Sequence, residues 1–134
     1  MIVLDASSAV ELILQTQRAE RIAARALRPA ERVHAPHLID IEVAQVLRRL
    51  VQAKEITVTR ADEALSDFED LAIERHEHRP FLRRVWGLRA SLSAYDAVYV
   101  ALAEALAAPM LTCDAKLARA HGHEAKIEFV PSDS

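Results

Sequence analysis

Four acidic residues interrupt segments that otherwise read as apolar: Asp5, Glu42, Asp96 and Asp114. Their settings are Ile2-Val3-Leu4-Asp5, Ile39-Asp40-Ile41-Glu42-Val43-Ala44, Tyr95-Asp96-Ala97-Val98 and Leu111-Thr112-Cys113-Asp114. A carboxylate among residues that seek burial is costly unless a cation or hydrogen bonds compensate it. Four of them brought together repel one another and invite a hard divalent cation that prefers oxygen ligands. Such a cation lowers the pKa of its bound water and neutralises negative charge beside it.

The elements that must position these acids can be read from periodicity and capping. Ile2–Leu4 is a short buried strand, and Asp5-Ala6-Ser7-Ser8 supplies capping side chains for a helix continuing through Leu14. A second helix is expected over Gln17–Leu27, a strand over Val33–Ala35, and a long helix with Pro36 in its first turn reaching Ala53. Thr59 is expected to cap the next helix, Ile73–Glu77 to form a third strand, and Pro80 to open a helix containing Trp86. Ser93–Ala107 is apolar nearly all round, which predicts a helix buried on more than one side. A strand over Met110–Thr112, a helix over Ala115–His121 and a last strand over Ile127–Val130 complete the chain.

Short strands alternating with helices predict an α/β fold, with a mainly parallel sheet covered on both faces. Parallel strands end at one common edge, where the following helices begin. Asp5 closes the first strand, and Asp114 lies just past Met110–Thr112. Glu42 lies about two turns into one helix and Asp96 in the first turn of another, so all four can converge on that edge.

Composition narrows the possibilities. A length of 134 residues with 51% hydrophobic and 28% charged residues suits one globular domain, 1–134, with a single core. An aromatic content of 4% argues against a base-stacking platform. The formal charge of −3 becomes near neutral once the four acids are set aside, so a bound cation would remove the main obstacle to meeting nucleic acid. Cys113 is the only cysteine, which excludes an intramolecular disulfide. With no signal-peptide pattern and no apolar run long enough to span a bilayer, the expected location is the cytoplasm, away from membranes.

Each residue also has a plainer explanation. Asp5 and Asp114 can serve as helix N-caps, Ser93-x-x-Asp96 has capping-box spacing, and Glu42 suits the dipole of its helix. Ser7 and Thr112 are either turn hydroxyls or groups that orient the carboxylates. His76-x-His78 and His121-x-His123 lack the matched partners of a zinc site, and Cys113 suits core packing better than nucleophilic chemistry. Arg83 and Arg84 are candidate phosphate contacts, though a solvated helix face accounts for most of the arginines. A two-aspartate phosphatase would need an acid where Ser7 stands, and the paired acids of a receiver domain are missing.

Taken in order, Asp5-Ala6-Ser7, Glu42-Val43-Ala44-Gln45-Val46-Leu47, Leu92-Ser93-Ala94-Tyr95-Asp96-Ala97-Val98-Tyr99 and Leu111-Thr112-Cys113-Asp114 resemble the PIN-domain ribonucleases, specifically the VapC toxins. The resemblance spans essentially the whole chain. It implies a three-layer α/β/α sandwich and a site of Asp5, Glu42, Asp96 and Asp114, with Ser7 and Thr112 in support. It further implies RNA hydrolysis with one or two Mg2+ or Mn2+ ions, a homodimer, and inhibition by a cognate VapB-like antitoxin. Asp40, where the family usually has an apolar or neutral residue, is a local departure, either an extra surface acid or a perturbation of the site next to Glu42. The competing expectation is a PIN-like binding module without catalysis, in which Asp5→Asn would have no effect.

Overall fold

In a computed structural model that describes residues 1–132, five short strands form one parallel sheet. The strands are β1 (Ile2–Leu4), β2 (Val33–Pro36), β3 (Ile73–His76), β4 (Met110–Thr112) and β5 (Ile127–Phe129). Their order is β3-β2-β1-β4-β5, and every neighbouring pair is parallel. The expected sheet was mainly parallel; among the described residues it is wholly so.

The chain steps outward from β1 through β2 to β3, then returns to lay β4 on the other side of β1. Right-handed crossovers in these two directions carry their helices to opposite faces. The first group comprises α1 (Ala6–Ile13), α2 (Ala19–Ala26), α3 (Leu38–Gln52) and α4 (Val58–Asp70), with α1 packing on the other three. The second contains α5 (Leu82–Gly87), preceded by a 3-10 turn at Arg79–Phe81, and α6 (Ala94–Leu106), which packs on β1, β2 and β4. The short α7 (Ala115–Ala118) joins β4 to β5. This is the α/β/α sandwich that the sequence pattern and the resemblance both implied.

Burial explains why the strands can be so short. Ile2, Val3, Leu4, Ala35, Met110 and Leu111 are buried between two helical layers, so a few residues suffice to seat each strand. α6 is the most enclosed helix, with seven consecutive buried residues from Ala97 to Ala103. Its alanines permit close approach of the sheet on one side and α5 on another. The alanine-rich helix therefore belongs to the core of the single chain.

Several element boundaries differ from the sequence expectation by one to three residues, three of them as follows. Pro36 ends β2, and α3 begins two residues later at Leu38, whose N–H donates to His78 Nε2 at 2.9 Å. Thr57 caps α4, accepting from the Arg60 N–H, because its backbone is extended while Thr59 already lies inside the first turn. α7 stops at Ala118, short of His121.

α6 ends at Ala107, which adopts φ 50° and ψ 39°, the left-handed conformation that normally belongs to glycine. An L-residue there costs about 1–2 kcal/mol, partly offset by its lower freedom in the unfolded chain. Ala107→Gly should therefore raise unfolding stability by roughly 0.5–1 kcal/mol. Urea denaturation at neutral pH measures it, and a loss of stability would contradict the strain described.

Candidate active site

The reversal of strand order next to β1 opens a crevice at the C-terminal ends of β1 and β4, where ligands bind in open α/β sheets. A cleft of about 510 Å³ opens there, and Asp5, Glu42, Asp96 and Asp114 all line it, with Ser7 among them. Asp5 follows β1, Asp114 follows β4, Glu42 comes from α3 and Asp96 from the first turn of α6. The structure thus brings together four acids that lie up to 109 positions apart in the sequence, from Asp5 to Asp114.

Asp5 is the most constrained of them, only 5% exposed. Its Oδ1 accepts from Ser7 Oγ at 2.7 Å and from the Ser8 N–H at 2.9 Å, capping α1. Its Oδ2 accepts from Thr112 Oγ1 at 2.5 Å. The two hydroxyls are in turn fixed by backbone donors from the β4 end: the Cys113 N–H on Ser7 Oγ and the Asp114 N–H on Thr112 Oγ1, both 3.0 Å. Ser8, not singled out from the sequence, closes the same seam by donating from Oγ to the Leu111 carbonyl at 3.0 Å. This net leaves one lone pair of Asp5 Oδ2 without a protein partner, because Oδ1 already accepts two bonds. Burial pushes the Asp5 carboxyl upward, and the Thr112, Ser8 and Ser7 hydrogen bonds draw it part of the way back.

Glu42 is held differently. Its Oε1 accepts from Tyr99 Oη at 2.6 Å, across from α6 to α3. Burial raises its pKa, the Tyr99 bond opposes this, and the nearby Asp96 and Asp5 charges raise it further. Tyr99 is itself buried, and its phenol is held far above its ordinary range by burial and by Glu42, so it remains a donor. The sequence reading passed over Tyr99 as core. Its position three residues after Asp96, on the same face of α6, was the available signal.

Asp96 is raised by burial and then by Asp114, with Ser93 and Lys116 pulling the other way. The α6 cap is Ser93 Oγ, which accepts from the Asp96 N–H at 3.2 Å. Asp114 does cap α7, with Oδ1 accepting from Lys116 and Leu117 N–H groups at 2.9 and 3.4 Å, while its Oδ2 has no protein donor. The capping explanation therefore holds for Asp5 and Asp114 and coexists with their position in the cleft.

No ion pair joins any of the four acids to a lysine or arginine among the described residues. Three of the four are pushed toward the neutral form by burial, and two of those also by neighbouring acids, Glu42 by Asp96 and Asp5, and Asp96 by Asp114. Carboxylate oxygens left free beside like charges are a donor set that fits a hard divalent cation.

The other sequence candidates lie elsewhere. Asp40 is clamped by Arg75, which reaches both carboxylate oxygens from Nε at 2.9 Å and Oδ1 from Nη2 at 2.7 Å, so it ties α3 to the edge strand β3. Arg84 is engaged by Glu104 at 2.8 and 2.9 Å, and neither Arg83 nor Arg84 lines the cleft. The basic group that does line it is Arg49. His76 does not pair with His78; its Nε2 lies 2.9 Å from His34 Nδ1, with Glu74 alongside, so the three present possible metal-ligand atoms within 4.8 Å at the sheet's edge. Cys113 is partly buried with its thiol pKa pushed up, which does not suit a thiolate nucleophile. No helix is long and apolar enough to cross a membrane among the described residues.

Comparison with known proteins agrees with this fold. The PIN domain family model matches residues 2–122. Ribonuclease VapC12 of Mycobacterium tuberculosis is 44% identical over 130 residues, covering 97% of this chain and 99% of that one. Among solved structures, VapC20 of M. tuberculosis, described as a sarcin–ricin loop cleaving toxin, superposes with TM-score 0.66 at 16% identity over 88% of this chain and 93% of that one. VapBC2 from Rickettsia felis, solved with a DNA fragment from its promoter, gives TM-score 0.67 at 15% identity over 96% and 98%.

The raised pKa of Asp96 sets a sign for stability. A carboxyl that binds its proton more tightly when folded contributes stability at low pH, which is lost as pH rises from the unfolded carboxylate value through the raised one. At neutral pH without metal, Asp96→Asn should therefore raise Tm. The gain should vanish in acid, where Asp96 is protonated. Thermal melts in EDTA at both pH values check this, and a lowered neutral-pH Tm would refute the repulsion.

Proposed function

This chain belongs to the PIN-domain family as a VapC-like ribonuclease, and from that premise we propose that it is a metal-dependent endoribonuclease toxin restrained by a cognate antitoxin. The observation that carries the proposal is the convergence of four carboxylates, none paired with a base, on one cleft at the switch of strand order. Asp5, Asp96 and Asp114 would hold a Mg2+ or Mn2+ ion, with Glu42 binding it directly or through water. A divalent ion there supplies a water of lowered pKa and screens the phosphodiester's charge.

The chain's own residues do the positioning. Ser7, Ser8 and Thr112 hold Asp5 so that it offers one oxygen toward the cleft. Tyr99 holds Glu42 by Oε1 and leaves Oε2 available. Burial and neighbouring acid charges raise Glu42 and Asp96 from their ordinary values while no cation is bound, and one of the four carboxylates would take the proton from the attacking water. RNA as substrate follows the ribonuclease relatives. An antitoxin arginine or lysine would occupy the same acidic cleft in the cation's place. A homodimer in the cytoplasm completes the proposal on family grounds.

Purified protein should cut total RNA with Mg2+ or Mn2+, fail in EDTA, and lose cleavage in Asp96→Asn. Equal cleavage by the variant would remove Asp96 from the site. Absence of both cleavage and growth arrest on expression would favour the binding module.

Tyr99→Phe should fold and yet lose roughly 10–100-fold in activity or metal affinity, the usual effect of releasing a ligand's hydrogen-bond partner. Calorimetric Mn2+ titration beside the cleavage assay reads it, and an unchanged variant would make Tyr99 a core residue only.

A further inference from the structure

Asp96 borders two hollows. One is the acidic cleft, and the other lies between the segment leading into α6 and the α7 region, lined by Ser91, Ser93, Lys116, Arg119 and His121. Lys116 and Arg119 are exposed. Most arginines near acids in this chain are already engaged, as Arg25 is by Glu31 and Glu128, Arg75 by Asp40 and Arg84 by Glu104. Lys116 and Arg119 have no carboxylate within ion-pair distance among the described residues. Lys116 nevertheless lies near enough to Asp96 to favour its charged form. On the other side of the acids, Arg49 lines the first cleft, also outside any ion pair.

Unpaired cations therefore flank the acid cluster, and the two hollows meet at Asp96. A nucleic-acid strand whose scissile phosphate lies over the acids carries further phosphates on either side, which the acids alone would repel. We propose that the hollow beside Asp96 is a subsite for the RNA backbone, in which Lys116 and Arg119 hold phosphates adjoining the scissile one. The Ser91 and Ser93 hydroxyls and the His121 imidazole add hydrogen-bonding groups of the kind that position sugar and phosphate. Lys116 and Arg119 would repel a basic antitoxin segment, so this side of Asp96 favours substrate over inhibitor. The inference rests on the ribonuclease reading above.

The test separates binding from cleavage. Fluorescence anisotropy with a fluorescein-labelled single-stranded RNA of mixed sequence is measured over a salt series, for wild type, Lys116→Ala/Arg119→Ala, Arg119→Lys and Arg32→Ala. Arg32 is exposed at the opposite edge of the sheet, ahead of β2, and serves as control. The double variant should bind RNA at least about tenfold more weakly, with the slope of log K against log salt flattened by about 1.4, or about 0.7 per lost contact. Its KM for cleavage should rise with kcat little changed, and its Mn2+ affinity by calorimetry should be no weaker than wild type. Arg119→Lys should retain the wild-type slope, and Arg32→Ala should match wild type throughout. A cleaving wild type matched by the double variant in affinity and slope would overturn the subsite alone. A wild type that binds Mn2+ but neither binds nor cuts RNA would overturn the ribonuclease reading, and the subsite with it. Equal binding of poly-glutamate by the wild type, lost in the same variant, would reassign the hollow to an acidic protein partner.

Discussion

A buried carboxylate at the seam of two parallel strands is the constraint from which the rest follows. Asp5 sits where β1 ends beside β4, and no cationic group among the described residues pairs with it. Its charge is tolerated because the Ser7 and Thr112 hydroxyls and the Ser8 N–H donate to it, and the two hydroxyls are fixed by the N–H groups of Cys113 and Asp114. The same bonds that satisfy the carboxylate therefore stitch the ends of β1 and β4 together. Fold and site share these bonds, so the seam cannot be relaxed without altering the position of Asp114.

The remaining acids are positioned from outside that seam by side chains whose own surroundings are settled elsewhere. Glu42 depends on α3, and α3 is tied to the edge strand by Asp40–Arg75 and by His78 at its first turn. It depends equally on Tyr99, which the core holds on α6. Four like charges can face one cleft because each is anchored by a different neighbour, and their repulsion is left as a reserve that a cation would release.

Much of this was legible in the sequence, for a physical reason. A carboxylate inside an apolar run contradicts the burial of its neighbours, so Asp5, Glu42, Asp96 and Asp114 stood out, and strand–helix alternation supplied the common edge. Groups defined by distant partners were not legible. Tyr99 looks like any aromatic in an apolar helix until Glu42, 57 residues away, is seen to receive its hydroxyl. Arg84 looked available because Glu104, 20 residues on, gave no sign of reaching it. Thr57 and Thr59 are equivalent as local capping residues, and only the extended backbone at Thr57 separates them.

The enclosure of α6 has a consequence for how this protein can change. Asp96 and Tyr99 sit at the start of a helix whose residues from Ala97 to Ala103 are all buried, several of them alanines with no room for a larger side chain. Enlarging any one would shift the helix as a rod and carry both groups with it. Natural variation in this stretch is therefore policed by the chemistry of the cleft before it is policed by folding, and drift will concentrate on α2, α4 and the surface of α5.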